Sequence, residues 1–335
     1  MPATLSTLFV GPNPALQRVL CFQSLAVGEV NRAESLITYC GGKGQGAALA
    51  SHRWAPDGRH AVAQFLGGDS GRFCEEQLTS AGLDTVTQHV FNPTRTCTTL
   101  INEADGSNTE LIDPSDPVSQ AELDGLVDAI SARLSDFSVV ALCGTQPPGA
   151  ETLYDCIAAS LLQPPPGPVA AAGAREPILL LDGYKAVDGV LRSGRLDVLK
   201  INREEIIALT KQATVQAAAV SLLRGAKARL TRPNAVIAVT DGPRPAFLFR
   251  RTGAWRLSVP QVACVNAIGA GDVCTGVFAA QLAAGDDVLD AFAYGLAAAS
   301  ARVVSRQPEF DLDRVRELHA AVVVEQIDVW RDGDD

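Results

Sequence analysis

Apolar runs of strand length alternate with runs of helical spacing along nearly the whole chain, and that rhythm admits few folds. Candidate strands lie at 7–10, 60–65, 139–143, 178–182, 198–201 and 236–240. Candidate helices lie at 46–54, 71–81, 121–135, 151–162, 203–210, 215–228, 272–284 and 287–304. Strands alternating with helices build a mostly parallel sheet covered on both faces. Several strand runs, such as Val139-Val140-Ala141-Leu142-Cys143, are continuously apolar, as strands buried on both faces must be. The expected class is therefore α/β, a Rossmann-like, mostly parallel sheet flanked by helices. Two regions, 16–39 and 94–112, instead alternate polar and apolar residues, and the second carries the turn Ala104-Asp105-Gly106-Ser107. Such ribbons are antiparallel, and we read them as a small β-sheet lid inserted in the α/β body. The proline-rich stretch at 163–168 reads as a surface loop, because the alternation resumes after it. Residues 1–335 are thus expected to form one domain with its lid, ending in a frayed acidic tail at 331–335.

Charge narrows the function. A formal net charge of −10 argues against a nucleic-acid or anionic-membrane binder, which needs a basic face. Anionic substrates would have to be held by a few local Lys and Arg residues. No apolar run reaches the ~18 residues that span a membrane; residues 291–304 read as a buried Ala-rich helix containing Arg302. The eight cysteines are scattered without a CxxC pair. That favours reduced thiols and a cytoplasmic location. Cys143 and Cys264 read as buried small hydrophobes, and the four His residues form no zinc-binding cluster.

Chemistry concentrates in Val265-Asn266-Ala267-Ile268-Gly269-Ala270-Gly271-Asp272, a small-residue loop that opens an apolar helical run. Bare N–H groups at a helix start bind anions. Asp272 falls in the first turn, beside that site. An anion cradle with an adjacent carboxylate suits phosphoryl transfer: amides stabilise the moving phosphoryl group, and the carboxylate takes the proton of the attacking hydroxyl. The plain alternative is a Gly-rich turn with an Asp serving the helix dipole. A second cluster, Gly41-Gly42-Lys43-Gly44-Gln45-Gly46, also opens a helix. It partly matches a dinucleotide fingerprint, with Ala47 at the last Gly position and Asp69 downstream, so a nicotinamide enzyme stays open. A Walker A loop does not, because Lys43 is followed by Gly44.

Together, in this order, the two clusters resemble those of the PfkB (ribokinase-like) carbohydrate kinases. The likeness extends over nearly the whole chain. It is nearest to the 1-phosphofructokinase and tagatose-6-phosphate kinase branch. The marks of that branch are Asn13-Pro14-Ala15-Leu16, Gly28-Glu29-Val30-Asn31-Arg32, Gly41-Gly42-Lys43-Gly44, Thr94-Arg95, Gly144-Thr145-Gln146-Pro147-Pro148-Gly149 and Lys200-Ile201-Asn202-Arg203-Glu204-Glu205. The resemblance implies an ATP- and Mg²⁺-dependent kinase acting on a small sugar, in particular a sugar phosphate as in hexose-phosphate kinases. It makes Asp272 the catalytic base and the amides of Gly269, Ala270 and Gly271 the anion hole. Asn202 and Glu205 would place Mg²⁺ through water, which suits an ion that keeps its hydration shell. Thr240 and Gly242 would join Asn202, Gly269 and Gly271 around the nucleotide. Gln17, Arg32, Gly41, Gly42, Lys43 and Arg95 would meet the substrate, with Lys43 and Arg95 on its phosphate. Some members of the family also require a monovalent cation. The lid's edge strands offer a surface through which two copies could pair as a homodimer.

Four positions depart from the family pattern. Gln17 stands where an acidic residue is usual, Gly46 where Asn is usual, Ile201 for Pro and Ile268 for Thr. The first two fall where sugar hydroxyls are read, each contact being worth ~1 kcal/mol or more. They leave open a different sugar phosphate, a non-sugar alcohol, or a catalytically weak or inactive binder of nucleotide and sugar phosphate with a regulatory role.

Overall fold

A computed structural model describes residues 5–163, 176–224, 228–305 and 309–329. Residues 164–168 of the proline-rich stretch and the acidic tail at 331–335 lie outside them. In chain order the strands are β1 (Ser6–Val10), β2 (Ala15–Phe22), β3 (Ser35–Gly41), β4 (Arg59–Leu66), β5 (Asp84–His89), β6 (Thr96–Asn102), β7 (Ser107–Ile112), β8 (Val139–Cys143), β9 (Ile178–Asp182), β10 (Val198–Asn202), β11 (Val236–Asp241), β12 (Arg244–Arg250), β13 (Gly253–Leu257) and β14 (Val324–Ile327). The helices are α1 (Lys43–Trp54), α2 (Gly68–Ser80), α3 (Gln120–Ser131), α4 (Leu153–Ser160), α5 (Asp188–Arg192), α6 (Arg203–Thr210), α7 (Val215–Leu223), α8 (Ala270–Ala284), α9 (Val288–Val303) and α10 (Leu312–His319).

Ten strands form the main sheet in the order β14-β13-β12-β11-β10-β9-β8-β1-β4-β5. The run from β5 to β11 is parallel, and β12, β13 and β14 add antiparallel strands at one edge. The mostly parallel sheet flanked by helices is the expected class. Successive residues of a strand point to opposite faces. Leu8, Val10, Val140 and Leu142 therefore enter one core while Phe9, Val139, Ala141 and Cys143 enter the other. This two-sided burial is why these strands are apolar without alternation.

The regions at 16–39 and 94–112 form a second sheet, ordered β3-β2-β6-β7. Strand β2 pairs antiparallel with β3 but parallel with β6, so the two ribbons join side by side. The turn between β6 and β7 is held by Asp105, whose Oδ1 accepts from the Ser107 amide at 2.8 Å.

Several elements differ from the sequence reading. Strand β5 was not expected, because it is a sheet edge with a single buried residue, Val86. Helix α7 ends at Leu223 rather than near 228, and α4 is two residues shorter than expected at each end. Cys264 is exposed, not a buried hydrophobe, whereas Cys143 is buried; all eight thiols are free. No single helix among the described residues is long and apolar enough to cross a membrane.

Close glycine contacts bring the two Gly clusters together. A Cβ on Gly44 would stand 2.4 Å from the Gly11 Cα, so α1 starts directly against the end of β1. The buried Gln45 reinforces this join, its Nε2 donating to Gly11 O at 2.8 Å and Gln64 Oε1 at 2.9 Å. A Cβ on Gly276 would meet the Ala47 carbonyl at 2.2 Å, so α8 nests on α1. Replacing Gly44 with Ala is expected to cost about 1–3 kcal/mol by overpacking backbone on backbone. A urea midpoint equal to that of the wild type would refute the close-packing account.

Candidate active site

Parallel strands bring their C-terminal ends to one rim, where ligands of open α/β sheets bind. Here that rim carries Asp182, Asn202 and Asp241 at the ends of β9, β10 and β11. The start of α8 faces it. Gly269 caps that helix in the left-handed conformation at φ 78°, and no side chain caps the exposed amides. Glycine tolerates that φ without strain. The Ala270 N–H is used locally, donating to Ala267 O at 3.2 Å. Among the described residues the amides of Gly269, Gly271 and Asp272 make no such bond, so of the expected three Gly269 and Gly271 are bare.

Asp272 is half-buried in the first turn of α8, and Gly46 of α1 lies against it. A Cβ at position 46 would stand 3.2 Å from Asp272 Oδ2. Burial, and then the charge of Asp182, push the Asp272 carboxyl up to about 7, against the opposing pull of Lys43, Lys200 and Arg302. A carboxyl poised there is suited to accept a proton at neutral pH.

Next to Asp272 runs a chain of charges, of which Asp182 and Lys200 are buried. Asp182 accepts from Lys43 Nζ at 3.0 Å, Lys200 Nζ at 3.1 Å and Thr275 Oγ1 at 2.6 Å. Its burial favours the neutral acid, but Lys200, Lys43 and the hydroxyl override that and hold it at about 2. Lys200 also donates to Gly271 O at 3.2 Å, tying the ion pair to the cradle's own backbone. Lys43 reaches Glu205 Oε1 at 3.5 Å. Burial works against its charge, but Asp182 and Glu205 prevail and hold it firmly cationic.

Asn202 and Glu205 form a capping box at the start of α6: Asn202 Oδ1 accepts from Glu205 N at 2.9 Å, and Glu205 Oε2 accepts from Asn202 N at 3.1 Å. This positions both oxygens at the rim and leaves Glu205 Oε1 turned toward Lys43. No group of three or more His, Cys, Asp or Glu is placed to hold a metal among the described residues. Asn202 and Glu205 thus fit a hydrated ion that arrives with phosphates, not a closed protein cage. Beside them Thr240 pairs in register with Asn202. Asp241 is clamped by Arg244 Nη2 at 2.6 Å, and Gly242, at φ 59°, faces open space.

A cavity of about 150 Å³ opens on the same rim, lined by Asn13, Gly42, Lys43, Arg95, Thr145 and Glu205 among others. Lys43 and Arg95 therefore line one cavity. Arg95 is braced by Asn13 O at 3.2 Å. Gln17 donates to Thr99 Oγ1 at 2.9 Å and packs on Gly41, but it does not line the cavity. Arg32 is exposed on the 23–34 connection and bonds no described residue. The Gly42 cluster follows a strand of the second sheet rather than one of the main sheet. It is therefore not the turn of a dinucleotide-binding βαβ unit.

Sequence reasoning missed Asp182, Lys200 and Thr275. The signal was present for two of them: a charged residue in an apolar parallel-strand run, as in Ile178–Asp182 and Val198–Asn202, needs a buried partner.

A cleft at the strand ends with bare helix-start amides and a nearby carboxyl suits phosphoryl transfer. Comparison with known families agrees, matching residues 17–314 to the pfkB family carbohydrate kinase. The chain belongs to this family, whose members are phosphotransferases with an alcohol acceptor. Among solved structures, Escherichia coli phosphofructokinase-2 with fructose-6-phosphate aligns at TM-score 0.79 and 20% identity, over 95% of this chain and 99% of that one. A protein described as a possible 1-phosphofructokinase from Thermotoga maritima gives 0.78 and 17%, over 96% and 99%. Thermotoga maritima ribokinase gives 0.72 and 21%, over 94% and 99%. At such identities these likenesses speak for the fold.

Proposed function

We propose that the chain transfers the γ-phosphoryl group of ATP to a hydroxyl of a small phosphorylated sugar, in the manner of the 1-phosphofructokinase branch. The observation that carries this reading is a cavity lined by both Lys43 and Arg95, whose lysine also binds Asp182, the carboxylate that accepts from Thr275 of α8. The acceptor's own phosphate would lie on Arg95 and Lys43. Asp272 takes the proton of the attacking hydroxyl, whose oxygen bonds to the γ-phosphorus as the bond to the β–γ bridging oxygen breaks and ADP leaves. The Gly269, Gly271 and Asp272 amides hold the equatorial charge. Thr240 and Gly242 would flank the nucleotide. Mg²⁺ bound with ATP would draw charge from the phosphates, with Asn202 and Glu205 holding its water. The lid, carrying Gln17, would exclude competing water. Its exposed Leu36 and Leu111, on one face by register, offer a second copy an apolar contact. The potassium complex of the Escherichia coli enzyme raises the same cation question here.

The test is ADP release with ATP and Mg²⁺ across sugars and sugar phosphates. Arg95→Leu is expected to raise KM for the phosphorylated acceptor about 10–100-fold, as loss of a charge-assisted bond worth about 1.5–3 kcal/mol would do, with little change in KM for ATP. Turnover of unphosphorylated alcohols alone, unchanged in Arg95→Leu, would end the phosphate-site reading. ATP binding without turnover on any acceptor would favour a regulatory binder.

A further inference from the structure

Gln45, in the first turn of α1, is fully buried at 0% exposure. Its Nε2 uses both hydrogens, on Gly11 O at 2.8 Å and on Gln64 Oε1 at 2.9 Å. Its Oε1 has no hydrogen-bond partner among the described residues. Turning the amide over would not mend this, because the oxygen would then face the Gly11 carbonyl, acceptor against acceptor. The two donated bonds explain the amide nitrogen. They do not explain the oxygen, since a buried acceptor without a donor is costly.

The place of that oxygen suggests what its donor is. Gly11, Gly42 and Gln45 all line the cavity of Lys43 and Arg95. The oxygen stands against both of those glycines: a Cβ on Gly11 would lie 2.9 Å from it, and a Cβ on Gly42 would collide with it. With glycine at both places, no side chain shields the oxygen on these two sides. Gly42 also holds φ 132°, which glycine adopts without strain. A lone pair in this cavity selects among ligand groups. A phosphate dianion brings only acceptors, so its place is on Lys43 and Arg95. An ammonium group donates, but those two cations repel it. A hydroxyl donates without charge.

We propose that Gln45 is a specificity-determining residue whose Oε1 accepts a hydrogen bond from a free hydroxyl of the acceptor sugar phosphate, while Lys43 and Arg95 hold its phosphate. The inference rests on the kinase reading and narrows its substrate class: besides its phosphate and the hydroxyl under attack, the acceptor carries a further hydroxyl that reaches Gln45. A site with such a buried acceptor rejects an analogue that lacks the hydroxyl, because the acceptor then stays unpaired.

The experiment takes the sugar phosphate that the full chain turns over best, with ATP and Mg²⁺, and compares it with each of its single-deoxy analogues on the wild type and on Gln45→Met. Among the analogues that keep the attacked hydroxyl, one should lose about tenfold in kcat/KM on the wild type, the scale of one lost hydrogen bond. On Gln45→Met the same analogue should fall within about twofold of its parent sugar, a coupling between one hydroxyl and one side chain that loosened packing does not produce. KM for ATP should stay the same. If Gln45→Met does not fold, Gln45→Asn, which keeps the amide but draws it back by one methylene, decides by the same comparison: the penalty should shrink. Equal penalties in wild type and variant, or a wild type that no deoxy analogue impairs, would overturn the inference while leaving the kinase reading intact; the oxygen would then serve only a buried water. A wild type that turns over no sugar phosphate would sink the kinase reading and this inference with it.

Discussion

Replacing Asp272 with asparagine is expected to lower kcat by about 10²–10⁴-fold, the range of a lost general base, while making the protein more stable above neutral pH. Both effects come from one cause. Burial and the charge of Asp182 raise this carboxyl from the usual 3.8 to about 7. A carboxyl raised on folding contributes stability that is fully present below the unfolded value and is lost as pH rises through the folded one. Above pH 7 the wild type therefore carries a desolvated carboxylate that asparagine does not. The shift sets an upper bound of about 4 kcal/mol on the difference. The groups that face Asp272 are Asp182 on β9, Lys43 on α1, Lys200 on β10, Arg302 on α9 and Tyr39 on β3. In the wild type kcat/KM should rise with pH and level off above about 7. Urea melts at pH 5 and 8.5 should show the asparagine variant gaining on the wild type at the higher pH. A variant that keeps most of its activity, or a stability difference that does not grow with pH, would remove Asp272 from the role of base.

That Asp272 falls in the first turn of a helix opened by small residues was legible because local rules suffice: small residues, then a carboxylate, then an apolar run. Strands β8 and β9 were legible for a similar reason, since continuous apolar runs leave few alternatives. What escaped was whatever depends on neighbours distant in sequence. Strand β5 reads as polar because only Val86 turns inward. Lys200 reads as part of a motif, yet its partner Asp182 lies on the adjacent strand and its second acceptor is Gly271 O on α8. Gly46 read as a missing side chain in sugar recognition; the fold gives it a further meaning, as room for the Asp272 carboxylate. The Ala270 amide could not have been discounted from sequence, because its partner is a carbonyl three residues back in a turn.

The second large effect is expected at Asp182. Its carboxylate is shared by two ammonium groups, at 3.0 Å from Lys43 and 3.1 Å from Lys200. Asparagine keeps the shape but removes the charge, leaving the buried Lys200 uncompensated. Breaking a buried pair in this way costs about 3–5 kcal/mol. Here the pH dependence has the opposite sign to that of Asp272. The Asp182 carboxyl is lowered to about 2 from 3.8, so its contribution is present above about 4 and fades as pH falls toward 2. The gap between wild type and Asp182→Asn should narrow over that window. Adding Lys200→Met to Asp182→Asn should recover part of the lost stability, because the stranded charge is then gone. Activity should not recover, because Gly271 O loses the Lys200 donor that ties it to the sheet. A third readout separates electrostatics from loosened packing. The charge of Asp182 raises the Asp272 carboxyl, while Lys43, Lys200 and Arg302 lower it. Removing the Asp182 charge alone should move the acid limb of kcat/KM below 7. A limb that stays in place, together with a full loss of stability, would mean that Asp182 matters for packing and hydrogen bonding but not for setting the base.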